Sequence, residues 1–87
     1  MSHIHATEEL QVGDVLVVNC SHQCNIMLMT NTDYGRYRRG EKFQYHGGHF
    51  TKFPTRFLAP GAGSWNVVID VGERAAEIRY DIRVIRK

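Results

Sequence analysis

The segment Tyr45-His46-Gly47-Gly48-His49 puts two imidazoles around a glycine pair. Glycines let a partner approach the backbone closely, and their exposed N–H groups can form an anion-binding concavity. His46 and His49 can donate to a phosphate or a carboxylate. Upstream, Tyr34-Gly35-Arg36-Tyr37-Arg38-Arg39 interleaves aromatics with arginines. Arg38 and Arg39 can add charge-assisted hydrogen bonds, bidentate where geometry allows. Tyrosine and arginine also dominate protein-binding hot spots, and the same pairing stacks bases while neutralising phosphates. The candidate ligand-binding residues are therefore Tyr37, Arg38, Arg39, Tyr45, His46, Gly47, Gly48 and His49. The structural alternative is a glycine bulge between solvated histidines, next to a loop with Tyr37 tucked onto the core.

Cys20-Ser21-His22-Gln23-Cys24 has the residue types of a zinc site. On one strand, side chains two apart would share a face and three soft ligands could converge, with His3, His5 or His46 as a fourth. The segment reads as a turn, however, which spoils the shared face. Free cysteine is among the most buried residue types, so buried thiols are expected, with no metal and no cofactor. Asp70 and Asp81 read as surface partners for arginines, and Trp65 as a core residue. The amide of Asn25 is expected to cap backbone groups of the following loop. There is no nucleophile elbow, phosphate-binding loop or metalloprotease helix, and no cleft-flanking carboxylate pair, so the chain is read as a non-enzyme.

The elements that must position these residues are short strands. Residues 2–11 read as an edge strand and Gly13-Asp14 as a turn. Val15 to Cys20 is a continuous apolar run, the mark of a strand buried on both faces. Asn25 to Met29 is a second apolar strand, and the short spacing predicts a hairpin between the two. Thr30 to Gly40 reads as a long ordered loop with one helical turn at most, and such loops are often functional. Lys42 to His46 alternates, with Phe43 and Tyr45 on one side. Gly47-Gly48 should interrupt that strand, which resumes from His49 to Leu58. Pro54 belongs at an edge or a bulge because it cannot donate to a ladder. After Pro60 and the Gly61-Ala62-Gly63 turn, Trp65, Val67, Ile69 and Val71 share one face. Gly72-Glu73-Arg74 makes the next turn. Ile78, Tyr80, Ile82 and Val84 then alternate with Arg79, Asp81 and Arg83, whose face should meet water.

Six to eight such strands and no long helix predict an all-β fold, a small antiparallel β-sandwich, jelly-roll-like or a partly closed barrel. An oligonucleotide-binding barrel also suits the length. The 87 residues are read as one domain, spanning 1–87. At this size only about 60–65% of the unfolded surface is buried, so the core must pack well. The 43% hydrophobic content argues against disorder, and the net charge of +2 is too mild for a dedicated nucleic-acid binder. No apolar run reaches the roughly 18 residues of a membrane span, and the N-terminus lacks signal-peptide order. Two cysteines fit reduced thiols, so a cytoplasmic protein is expected.

Several motifs read together add a family likeness. Gly13-Asp14-Val15, Asn25-Ile26 with Leu28-Met29, Tyr37, Gly40, Tyr45 with Gly47-Gly48, Pro54 and Pro60 lead into Gly63-x-Trp65-x-Val67-Val68-x-Asp70. Over residues 10–72 this resembles DUF1883, a family of small bacterial domains of unknown function. The resemblance implies an all-β sandwich. It also implies relatives that stand alone or are fused to TIR domains, an arrangement that suits a recognition module beside an effector. It carries over no catalytic residues and gives Cys20 and Cys24 no role. The expected function is a non-enzymatic recognition or sensing module, with a small anionic ligand or a protein partner at the 34–49 region. The alternatives are a structural protein that forms a homo-oligomer through exposed strand edges, and a weak nucleic-acid binder.

Overall fold

A computed structural model describes residues 3–70 and 78–87. The strands are β1 (Ile4–Leu10), β2 (Val15–Cys20), β3 (Cys24–Met29), β4 (His46–Phe50), β5 (Thr55–Leu58), β6 (Gly63–Asp70) and β7 (Tyr80–Ile85), and one helix, α1 (Asn31–Arg38), lies between β3 and β4. A four-stranded sheet has the order β1-β6-β3-β4 and a three-stranded sheet the order β5-β2-β7. All pairings are antiparallel. The expected small β-sandwich is thus the observed architecture, with two separate sheets among the described residues.

The core lies between the sheets. Leu16 and Val18 from one sheet meet Ile26, Leu28, Val67 and Ile69 from the other, and all six are fully buried. Their every-second-residue spacing is the strand period, and each such side chain contributes about 1.5–3 kcal/mol on burial. Trp65 packs against this cluster, and its Nε1 donates to the carbonyl of Gly61 at 3.0 Å. Trp65, Val67 and Ile69 share a face as expected; Val71 and the Gly72-Glu73-Arg74 turn lie outside the described residues.

The predicted hairpin of β2 with β3 does not form. The chain crosses from one sheet to the other at Ser21–Gln23, tied by Ser21 N–H to the carbonyl of Arg79 at 2.8 Å and by Arg79 N–H to Ser21 Oγ at 2.9 Å. Both strands must bury an apolar face, and packing face to face across the core buries more of each than pairing edge to edge. The two-sided burial expected of β2 is partial, since Asn19 is exposed; β3 has it more fully, with both Met27 and Leu28 buried. The proposed strand from His49 to Leu58 is also divided. It ends at Phe50, and residues 51–54, including Pro54, carry the chain to the edge strand β5.

One buried carboxylate closes the end of the sandwich. Asp14, only 2% exposed, accepts from Gln11 N–H at 2.9 Å, Lys87 N–H at 3.1 Å and Arg86 Nη1 at 2.8 Å. The Gln11 bond first, then Arg86 and Lys87, hold its carboxyl below the usual range against the opposing effect of burial. The C-terminal residues are thereby fastened to the turn between β1 and β2. No helix among the described residues is long and apolar enough to cross a membrane.

Candidate functional site

The segment from Thr30 to Gly40 is a two-turn helix and not the expected loop. Thr30 caps it, accepting from Asp33 N–H at 3.2 Å while its hydroxyl donates to the Asp33 carboxylate at 3.1 Å. Asp33 also accepts from Arg36 at 3.2 Å and from Gln44 N–H at 3.1 Å. These bonds, the Gln44 one foremost, lower its pKa, so the carboxylate stays charged. Gly40, at φ +74°, ends the helical path in the left-handed conformation that glycine favours. The Thr-x-x-Asp spacing was the available sequence signal for this helix. It is masked by Gly35 and by the lack of an apolar stripe.

Asp33 also explains why Lys42 to Tyr45 is not the predicted strand. Gln44 gives its N–H to that carboxylate instead of a ladder, and β4 begins only at His46. The paired glycines lie inside β4 and do not interrupt it. A Cβ on Gly47 would land on the carbonyl oxygen of Ile26, so glycine is what lets β4 lie against β3. That is a packing role for Gly47, beside the expected ligand contact.

The helix covers the outer face of the four-stranded sheet. Tyr34, Tyr37 and Phe43 pack on Met27, Met29 and Val68. A polar network ties the cover down. Asn66, 3% exposed, gives its amide hydrogens to Asn31 Oδ1 at 2.7 Å and to the carbonyl of Met29 at 3.4 Å. Its Oδ1 is left to accept from His5 Nε2 at 2.8 Å, which assigns that tautomer. His5 stacks on Tyr34 with centroids 4.0 Å apart, and His3 meets the Tyr34 hydroxyl at 3.1 Å. The Tyr37 hydroxyl donates to Asp70 at 3.5 Å, and burial followed by the charge of Asp70 raises its pKa. Asp70 thus meets a tyrosine in this network, and Asp81 pairs with an arginine, Arg83, at 2.8 Å.

An open cleft of about 470 Å³ lies where this cover meets the sheet end. Thr30, Asp33, Phe43, Tyr45, His46 and Trp65 are among its walls. His46 meets Trp65 edge to face at 5.9 Å, and Phe43 lies 5.5 Å from Tyr45. Of the eight residues expected to bind, two line this cleft, Tyr45 and His46. Tyr37 and Arg38, with His3 and Gly40, line a separate hollow of about 280 Å³. Arg38 also stands 5.9 Å over the Tyr34 ring. Arg39 is turned to Glu41, its Nε donating at 2.8 Å. Gly47 and Gly48 are strand residues, and His49 bonds across the ladder to Asn25 at 3.2 Å, so Asn25 does not cap the following segment as expected. Phe43, Asp33 and Trp65 were missed as cleft residues because the cleft joins three distant segments. His3 and His5 had a signal, a two-residue spacing that puts both on one strand face.

Cys20 and Cys24 are free and buried in the core where the chain crosses between sheets. Burial, helped by the neighbouring Cys20, pushes the Cys24 thiol up to about 12. His22 is exposed and bonds to Ser21 Oγ, so it does not join the two sulfurs.

The fold is a small two-sheet sandwich with an aromatic-lined cleft at the edge of a helical cover. The family model described as a domain of unknown function, DUF1883, matches residues 1–87, and the chain belongs to that family. The match takes in the N-terminal residues that carry His3 and His5 as well as the region of the sequence motifs. No curated protein and no solved structure matches the chain.

Proposed function

We propose that this chain is a non-enzymatic recognition module and that its cleft takes a small ligand bearing a flat ring. The supporting observation is the wall formed by Tyr45, His46, Phe43 and Trp65, aromatic faces with imidazole and phenol tips. Such a wall stacks a ring and orients its polar substituents. The charged Asp33 beside it favours a ligand without negative charge there. An anionic ligand has different support, the hollow that joins His3, Tyr37 and Arg38. A cytoplasmic setting fits two unpaired, buried thiols.

A thermal-shift panel of nucleosides, nucleotides, cyclic nucleotides, sugars and short nucleic acids tests this at low and moderate salt. A ligand at 100 times its dissociation constant adds about 2.7 kcal/mol. The cleft reading requires a shift that His46→Ala removes and Arg38→Ala keeps; the opposite pattern moves the site to the hollow. A steep salt dependence with nucleic acid favours the barrel-type binder instead. A silent panel refutes the small-ligand reading and leaves a protein partner.

A further inference from the structure

The outer face of the three-stranded sheet carries a row of apolar side chains that no described element covers. Register places Val15 of β2 directly between Leu58 of β5 and Ile85 of β7. Leu58 is 69% exposed and Ile85 53% exposed. The next row on the same face is Arg56–Val17–Arg83, with both arginines exposed. Arg56 makes no ion pair among the described residues. Arg83 pairs with Asp81, an exposed contact that an incoming carboxylate can replace at little cost. Val12, 69% exposed, stands in the turn leading into this end of β2.

We propose that this face docks an acidic amphipathic helix of a partner protein. The dimensions fit. Strands lie about 4.8 Å apart, so Leu58 and Ile85 are separated by roughly 10 Å, and so are Arg56 and Arg83. On a helix, positions i and i+7 are about 10.5 Å apart on one side. An apolar stripe at i, i+4 and i+7 therefore lies along the first row. Carboxylates on one flank of that stripe reach the two arginines in the second row, about 7 Å along the strands. The four-stranded sheet shows the same solution built into the chain, with α1 laid over Met27, Met29 and Val68. A second copy placed face to face about an axis along the strands would oppose arginines with arginines, which charge complementarity disfavours.

The test uses two synthetic 14-residue amphipathic peptides with the same leucine stripe, one flanked by glutamates and one by lysines, titrated into the full chain and followed by backbone amide NMR. The acidic peptide should shift the amides of Val15–Val17, Arg56–Leu58 and Arg83–Ile85 while those of α1 and β4 stay in place. The double variant Arg56→Glu/Arg83→Glu, at exposed positions that leave the fold intact, should weaken the acidic peptide by about tenfold or more and admit the lysine peptide. Leu58→Gln should weaken the acidic peptide. The proposal is overturned if the acidic peptide causes no shift, if both peptides bind equally, or if the shifts fall on the helix-covered sheet. It is also overturned if the same amides respond to protein concentration alone, since the occupant is then a second copy.

Discussion

Both sheets carry apolar side chains on their outer faces, but the chain treats the two faces differently. On the four-stranded sheet, α1 and Phe43 cover Met27, Met29 and Val68, and Asn66 bonds the cover to the sheet. On the three-stranded sheet, the row of Leu58, Val15 and Ile85 stays open to water beside two arginines. The difference teaches that outward apolar residues on a sandwich have two physical uses. They anchor a segment of the same chain, or they stand as a surface for another molecule. The covered face has polar groups matched to named partners, as a structural contact requires. On the open face the charged groups are solvated, as a docking rim requires.

The largest effect should come from Gly47→Val, which drives a side chain into the Ile26 carbonyl and detaches β4 from the covered sheet. A loss of about 3 kcal/mol or more in a urea titration is expected. The comparison itself is tested by a matched pair. Met29→Ala should cost about 2–3 kcal/mol, whereas Leu58→Ala should stay within about 0.5 kcal/mol. Equal losses would mean that the open face is structural after all. Asn66→Ala leaves His5 and Asn31 without their shared partner and should cost about 2 kcal/mol. Hydrogen exchange should then accelerate in α1 and not in β2 or β7.

Acid should loosen both regions through different carboxylates. The Asp33 carboxylate fastens Thr30 at the helix start and Gln44, and the Asp14 carboxylate fastens the C-terminal residues beside β7. Both have folded pKa values below the ordinary 3.8. Their stabilisation is therefore complete above that value and is lost as pH falls through the lowered folded values. Below pH 4, Asp14→Asn should flatten the pH dependence of exchange in β7, and Asp33→Asn that in α1. The smallest change is expected from Arg83→Ala, whose ion pair with Asp81 is exposed and worth under about 0.5 kcal/mol. A larger loss of thermal stability would give Arg83 a structural role and weaken its assignment to a docking rim.

Much of the strand content was legible because a strand declares itself within a few residues. Tyr80 to Ile85 shows its inward and outward sides in the alternation of the chain, Trp65, Val67 and Ile69 share one face, and Val15 to Cys20 is marked by its continuous apolar run. The site was less legible. Tyr45 and His46 line the cleft, Arg38 lines the separate hollow with Tyr37, and Arg39 is turned to Glu41, which holds its guanidinium at 2.8 Å. The helix was hidden because its stability comes from Asp33 and from the sheet beneath it, and not from an apolar stripe of its own.

What the sequence by itself determined was local: the apolar positions of the strands, the turn at Gly13, the capping pair Thr30 and Asp33, and the membership of one family. The tertiary structure decided which sheet each strand joined, that β2 and β3 would face each other across the core, and that Phe43, Asp33 and Trp65 would enclose one cleft. The physical reason is that alternation states which side of a strand is apolar but not which partner will cover it. That choice depends on burial summed over the whole chain against the entropy of closing each loop, and neither can be read within a single segment.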